Sequence, residues 1–83
     1  MKQEAEKEMK RMEKIFAKLK IKDDPKDFFG FAKNYFDDGK HFFEKEDFLK
    51  AFEAFVIAWA YVDAGLKLDF FEIPEDMKEN FTF

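Results

Sequence analysis

Residues 48–68 read FLKAFEAFVIAWAYVDAGLKL, and this stretch decides the architecture. From Phe48 to Val62 only Lys50 and Glu53 interrupt the apolar composition. The longest unbroken apolar segment, 54–62, falls well short of the roughly 20 residues that a membrane-crossing helix needs. On a helical wheel Phe48, Phe52, Phe55, Trp59, Val62 and Leu66 form one stripe, while Ile57, Tyr61 and Leu68 lie on the back among Ala54, Ala60 and Ala64. A helix apolar on both sides is the buried centre of a small bundle. Asp47 is its expected N-terminal cap. Gly65 either lies within the helix or ends it in a left-handed cap, so the predicted span is 47–68.

Upstream, Asp24-Pro25-Lys26-Asp27 reads as an N-cap, a first-turn proline and an acid favoured by the helix dipole, which predicts a helix over 25–44. Its apolar arc holds Phe28, Phe29, Phe31, Ala32, Tyr35, Phe36, Gly39, Phe42 and Phe43, with Lys33, Asn34, Asp37, Lys40, His41 and Glu44 opposite. Further upstream, Ala5, Met9, Met12, Phe16 and Leu19 recur at steps of three and four and predict a helix over 2–19. So narrow a stripe belongs to a peripheral helix, and its first eight residues, with only Ala5 facing inward, are expected to fray. Beyond the central helix, Ile73-Pro74-Glu75-Asp76 resembles the start of a last short helix in a tail over 70–83, with Phe70, Phe71, Ile73, Met77, Phe81 and Phe83 available for docking. The expected fold is an all-α, antiparallel three-helix bundle with a short C-terminal helical or extended tail, in one domain over 1–83.

Eighty-three residues leave no room for a second core. Small cores need extra fastening, and the absence of cysteine removes disulfides and thiolate metal sites. Fourteen phenylalanines supply dense packing instead, and a surplus beyond one core favours self-association. The formal net charge of −4 and the single arginine, Arg11, leave no basic field for a phosphate backbone, so nucleic acid is not an expected partner. Charged residues make up 41% of the chain, and their lysine and glutamate bias resembles that of thermophile proteins. Residues 1–14 carry no apolar stretch of the secretory kind, so the expected address is cytoplasmic, with no membrane association. Without a secretory signal, Asn80-Phe81-Thr82 is read as a chance glycosylation sequon.

Over 32–65, Tyr35, Gly39, Phe42, Phe48, Ala51, Phe55 and Ala58 stand at offsets similar to those of one tetratricopeptide-like hairpin, in which small residues let two helices approach closely. With one such unit and no repeat beside it, a solenoid is not expected. A resemblance over more of the chain rests on Tyr35-Phe36-x-Asp38, His41-Phe42-Phe43-Glu44-Lys45, Asp47-Phe48, Ala51-Phe52 and Ala58-Trp59-Ala60-x-Val62-Asp63-Ala64-Gly65. These residues resemble the archaeal family called domain of unknown function 357. The resemblance implies a short helical bundle from an archaeal source and no assigned activity, and it brings no catalytic residues. The acidic and aromatic tail departs from the shorter ending of that family.

Candidate chemistry is sparse. Asp37, Asp38, His41 and Glu44 form the one acid-plus-imidazole cluster, with Asp37 and His41 a helical turn apart, but they project from the polar side of their helix and read as a solvated face. There is no serine or cysteine and one threonine, Thr82, so nucleophilic catalysis has no candidate. The three glycines are isolated, which excludes a phosphate-binding loop. Asp63 is the anomaly, because the wheel sets it beside Phe52, Val56 and Trp59; Lys18, Lys22, Lys67 or free backbone N–H groups are its expected partners in a structural role. Trp59 reads as core and not as a stacking platform.

The leading expectation is a non-enzymatic association module, either a homodimer or a receiver of another protein, with Ile57, Tyr61, Leu68, Phe81 and Phe83 as candidate interface residues. Docking of the tail competes for the same back face. The alternative is a small-ligand or metal-binding domain using Asp37 and His41 or a pocket between Trp59 and Asp63. No catalytic residue, metal ligand or cofactor is assigned.

Overall fold

A computed structural model describes residues 1–81; Thr82 and Phe83, the latter one of the candidate interface residues, lie outside them. Three helices dominate: α1 over Lys2–Lys18, α2 over Phe28–Glu44 and α3 over Phe48–Lys67. Two short strands, β1 at Lys20–Ile21 and β2 at Phe71–Glu72, precede α2 and follow α3, and a 3-10 helix covers Glu75–Asn80. The expected bundle is therefore present, running up, down and up, so that α1 and α3 point the same way and α2 runs against both. The tail is extended in its first part and helical in its second.

α1 is helical from Lys2, and Ala5 is fully buried, so the expected fraying of its first turns is not seen. Methyl-sized Ala5 lets the helix lie close against its neighbours, and the Lys2 ammonium sits 5.9 Å from the centre of the Phe48 ring at the matching end of α3. The buried stripe also includes Ile15, which lies between Met12 and Phe16 and escaped the three-and-four reading.

α2 begins at Phe28, three residues later than expected. Asp27 adopts a left-handed conformation with φ of 53°, which breaks the helical path after Pro25. Two carboxylates then satisfy the open first turn: Asp24 accepts from the backbone N–H groups of Phe28 at 2.8 Å and Phe29 at 2.9 Å, and Asp27 accepts from that of Gly30 at 3.1 Å.

α2 and α3 end alike. After α2, the N–H of Asp47 donates to the carbonyl of Phe42 and that of Glu46 to the carbonyl of Phe43, with Glu46 at φ of 63°. After α3, the N–H of Phe70 donates to Gly65 and that of Asp69 to Leu66, with Asp69 at φ of 62°. Both are Schellman caps with an acid where glycine is preferred. Gly65 thus lies inside α3, and the chain turns four residues later. Asp47 also accepts from the N–H of Lys50 at 3.3 Å, so one residue closes α2 and caps α3 as expected. Because a left-handed glutamate is strained and a left-handed glycine is not, Glu46→Gly is expected to stabilise the fold by about 0.5–1 kcal/mol in a chemical denaturation series.

The core corrects the expected interior of α3. Phe55 and Val62 are fully buried, but Phe48, Phe52, Trp59 and Leu66 are only partly so. Ala51, Ala54 and Ala58 take the remaining interior positions, which turns the buried arc toward the seam with α2. Small residues there allow close approach, and the Phe55 ring lies over Gly39 of α2, where an added Cβ would stand 2.6 Å from Phe55 Cδ1.

The β ribbon fastens the tail. Lys20 pairs with Glu72 and Ile21 with Phe71 in antiparallel register, and the N–H groups of Lys22 and Asp23 donate to the carbonyl of Phe70. Phe71 is 2% exposed and its ring lies against Gly65 of α3. At the surface, Lys22 Nζ meets Asp69 Oδ1 at 2.8 Å, and this hydrogen bond, with the attraction between the charges, raises the Lys22 pKa above its ordinary value.

Candidate interaction surface

α3 has two flanks on either side of its seam with α2, and the structure treats them differently. On the flank toward α1, Trp59 Nε1 donates to the carbonyl of Asn80 at 2.8 Å, and the Phe81 ring stacks on the indole with centroids 5.9 Å apart and planes 5° off parallel. The Arg11 guanidinium lies 5.7 Å from the Trp59 ring and donates through Nη2 to the same Asn80 carbonyl, while its Nη1 meets Glu8 at 3.1 Å. The terminal 3-10 helix is therefore clamped between α1 and Trp59. Phe81, expected at an interface, is 8% exposed and belongs to the protein's own packing. Of the expected Trp59 and Asp63 pair, the indole N–H already has its partner in the Asn80 carbonyl and one ring face its stack on Phe81, and a cavity of about 240 Å³ beside Trp59 is lined by Glu8, Arg11 and Val56. Asp63 itself is largely buried and meets Lys67 Nζ at 3.1 Å, one of the cations expected beside it.

Among the described residues, nothing covers the opposite flank. Phe28, Val56, Ile57, Ala60, Tyr61 and Ala64 line a shallow trough of about 300 Å³ whose walls are almost entirely carbon. Val56 is 39% exposed and Ile57 40%, and Leu68, one turn beyond Ala64, is 54% exposed, so the apolar surface here is contiguous and not scattered. Tyr61 forms the rim. Its ring stacks on Phe31 at 5.3 Å and on Tyr35 at 5.9 Å and takes the edge of Phe28 at 5.6 Å, so the wall is a fixed aromatic sheet. Ile57, Tyr61 and Leu68 thus lie on one face as the wheel predicts. Val56, which the wheel sets near Phe52 and Trp59, belongs to the same face, and so does Phe31, which is 47% exposed.

The remaining sites offer less. A larger cleft of about 440 Å³ between α1 and the 3-10 helix is lined by Lys7, Lys10, Arg11 and Lys14, but Lys10 pairs with Glu6 and Arg11 with Glu8. Asp37 and His41 stand on the exposed side of α2, with Asp37 between Lys33 at 3.6 Å and Lys40 at 4.0 Å. Among the described residues, no three histidine, aspartate or glutamate side chains gather closely enough to hold a metal ion. No helix among them is long and apolar enough to cross a membrane.

Residues 2–71 match the model of the family described as "Protein of unknown function (DUF357)". The crystal structure of protein AF1782 from Archaeoglobus fulgidus, assigned to the same family, is similar with a TM-score of 0.77 and 27% sequence identity, over 88% of this chain and 92% of that one. No curated protein matches. The family match includes α1, α2, α3 and the first residue of β2 and stops short of the clamp made by Asn80 and Phe81. Covering most of the chain, it shows that the protein belongs to the DUF357 family.

Proposed function

We propose that the protein works by association and not by catalysis, receiving an apolar surface of another polypeptide in the trough on the outer face of α3. One observation carries this reading: the tail as far as Phe81 docks on the Trp59 flank, and among the described residues Val56 and Ile57 stay open beside a packed aromatic rim. Burying such a surface removes carbon from water at about 25 cal/mol per Å², while the pre-ordered rim keeps the entropic cost of docking small. The net charge of −4 supports a protein and not a nucleic acid as partner.

A photo-crosslinking residue placed at Ile57 in cells is expected to give a discrete adduct that disappears with Ala60→Arg. The same probe at Glu13, on the exposed side of α1, is expected to give only diffuse background. Equal background at both positions, with no discrete adduct at Ile57, would sink the reading.

A further inference from the structure

We infer that the polypeptide covering this trough is a second copy of the chain, laid antiparallel across α3 with Ala60 on the two-fold axis. The inference rests on the reading of the outer α3 face as an association surface and adds the partner and its orientation. Glu53, Ala60 and Lys67 are all exposed and stand at intervals of seven residues. Seven residues bring an α-helix back to nearly the same side, about 10 Å further along, so the three form a line with a methyl at its centre and opposite charges at its ends.

Such a line is complementary to itself in only one direction. If two copies cross antiparallel at Ala60, each Glu53 faces the second copy's Lys67, giving two ion pairs related by the axis. If they lie parallel in register, glutamate meets glutamate and lysine meets lysine, which is repulsive. Glu53 has no ion pair among the described residues. Lys67 already meets Asp63 of its own chain at 3.1 Å, and the second copy's Glu53 would join that pair.

Shape agrees with charge. Ala60 lets the two helices come close, and Ile57, three residues before it, comes opposite the second copy's Ala64, four residues after it, so a large side chain meets a small one on each side of the axis. One helix face with an aromatic rim makes a small interface, which fits a reversible dimer better than a permanent one.

The test uses the whole chain in sedimentation velocity at low salt, up to about 1 mM. The wild-type protein is expected to form dimers. Ala60→Arg, at an exposed helical position, is expected to abolish them while the helical circular dichroism is kept. Glu53→Lys and Lys67→Glu each turn both cross-pairs repulsive, so each variant alone is expected to dimerise about tenfold more weakly or worse. Mixed one to one, the two variants restore two attractive pairs, and the mixture is expected to dimerise like the wild type. A wild-type monomer at every concentration, a dimer indifferent to Ala60→Arg, or a mixture no better than its components would each overturn the antiparallel dimer. A monomer that still gives a discrete Ile57 adduct with a different polypeptide would overturn this inference alone, whereas loss of that adduct removes the association reading itself.

Discussion

Phe55→Ala is expected to lose about 3–5 kcal/mol of folding stability, a large part of what a domain of this size possesses. The ring has no exposure to solvent and stands at the centre of the core, 5.7 Å from the Phe36 ring and directly over Gly39. Truncation removes the apolar area of a whole phenyl group and leaves a cavity. Ala51, Ala54 and Ala58 on the same helix have no side-chain length with which to fill it. Thermal or chemical denaturation of the variant at wild-type stability would refute the placement of Phe55 at the core.

The second large effect is expected at Gly39 and has the opposite geometry. In an exposed helix, exchanging glycine for alanine gains about 1 kcal/mol, because alanine has less backbone freedom to lose. At Gly39 the new methyl would stand 2.6 Å from Phe55 Cδ1, and the ring, enclosed on all sides, cannot swing away. Overpacking of this kind costs about 1–3 kcal/mol, so Gly39→Ala is expected to be clearly destabilising. The two substitutions should also compensate: added to Phe55→Ala, Gly39→Ala places its methyl into the vacated space and should be neutral or stabilising. A double-mutant cycle by chemical denaturation is expected to show a coupling of about 2 kcal/mol, and additive losses would disprove direct contact between ring and glycine.

These two positions also show what periodicity reveals and what it misses. The apolar character of 48–68, the stripe of α1 and the Asp47 cap are properties of the chain itself, and all are legible in the sequence. Periodicity also marks Ile57, Tyr61 and Leu68 as a separate back face. It does not say how far the interior of α3 is turned, because large side chains catch the eye while close helix approach is decided by Gly39, Ala51 and Ala58. The end of α3 is open to two readings in the sequence because the rule looks for glycine in the left-handed position, and there the chain uses Asp69. The β ribbon is invisible for another reason, since two-residue strands have no alternation to detect. Phe81 is misread as interface because its partner, Trp59, lies on the flank opposite Ile57, and only the path of the tail decides which flank it reaches.

The ribbon also has an expected place in the order of assembly. α2 and α3 are joined by a three-residue turn at 45–47, so their mutual closure carries little loop entropy and comes early. The ribbon joins segments far apart in the chain, with Lys22 and Asp69 separated by 47 positions, and it closes once the hairpin has brought those segments together. Contacts made after the transition state slow unfolding and leave the folding rate nearly untouched. Phe71 and its pairing with Ile21 are therefore expected to act as a latch on a finished hairpin, so that Phe71→Ala speeds unfolding while leaving the folding rate nearly unchanged in stopped-flow kinetics.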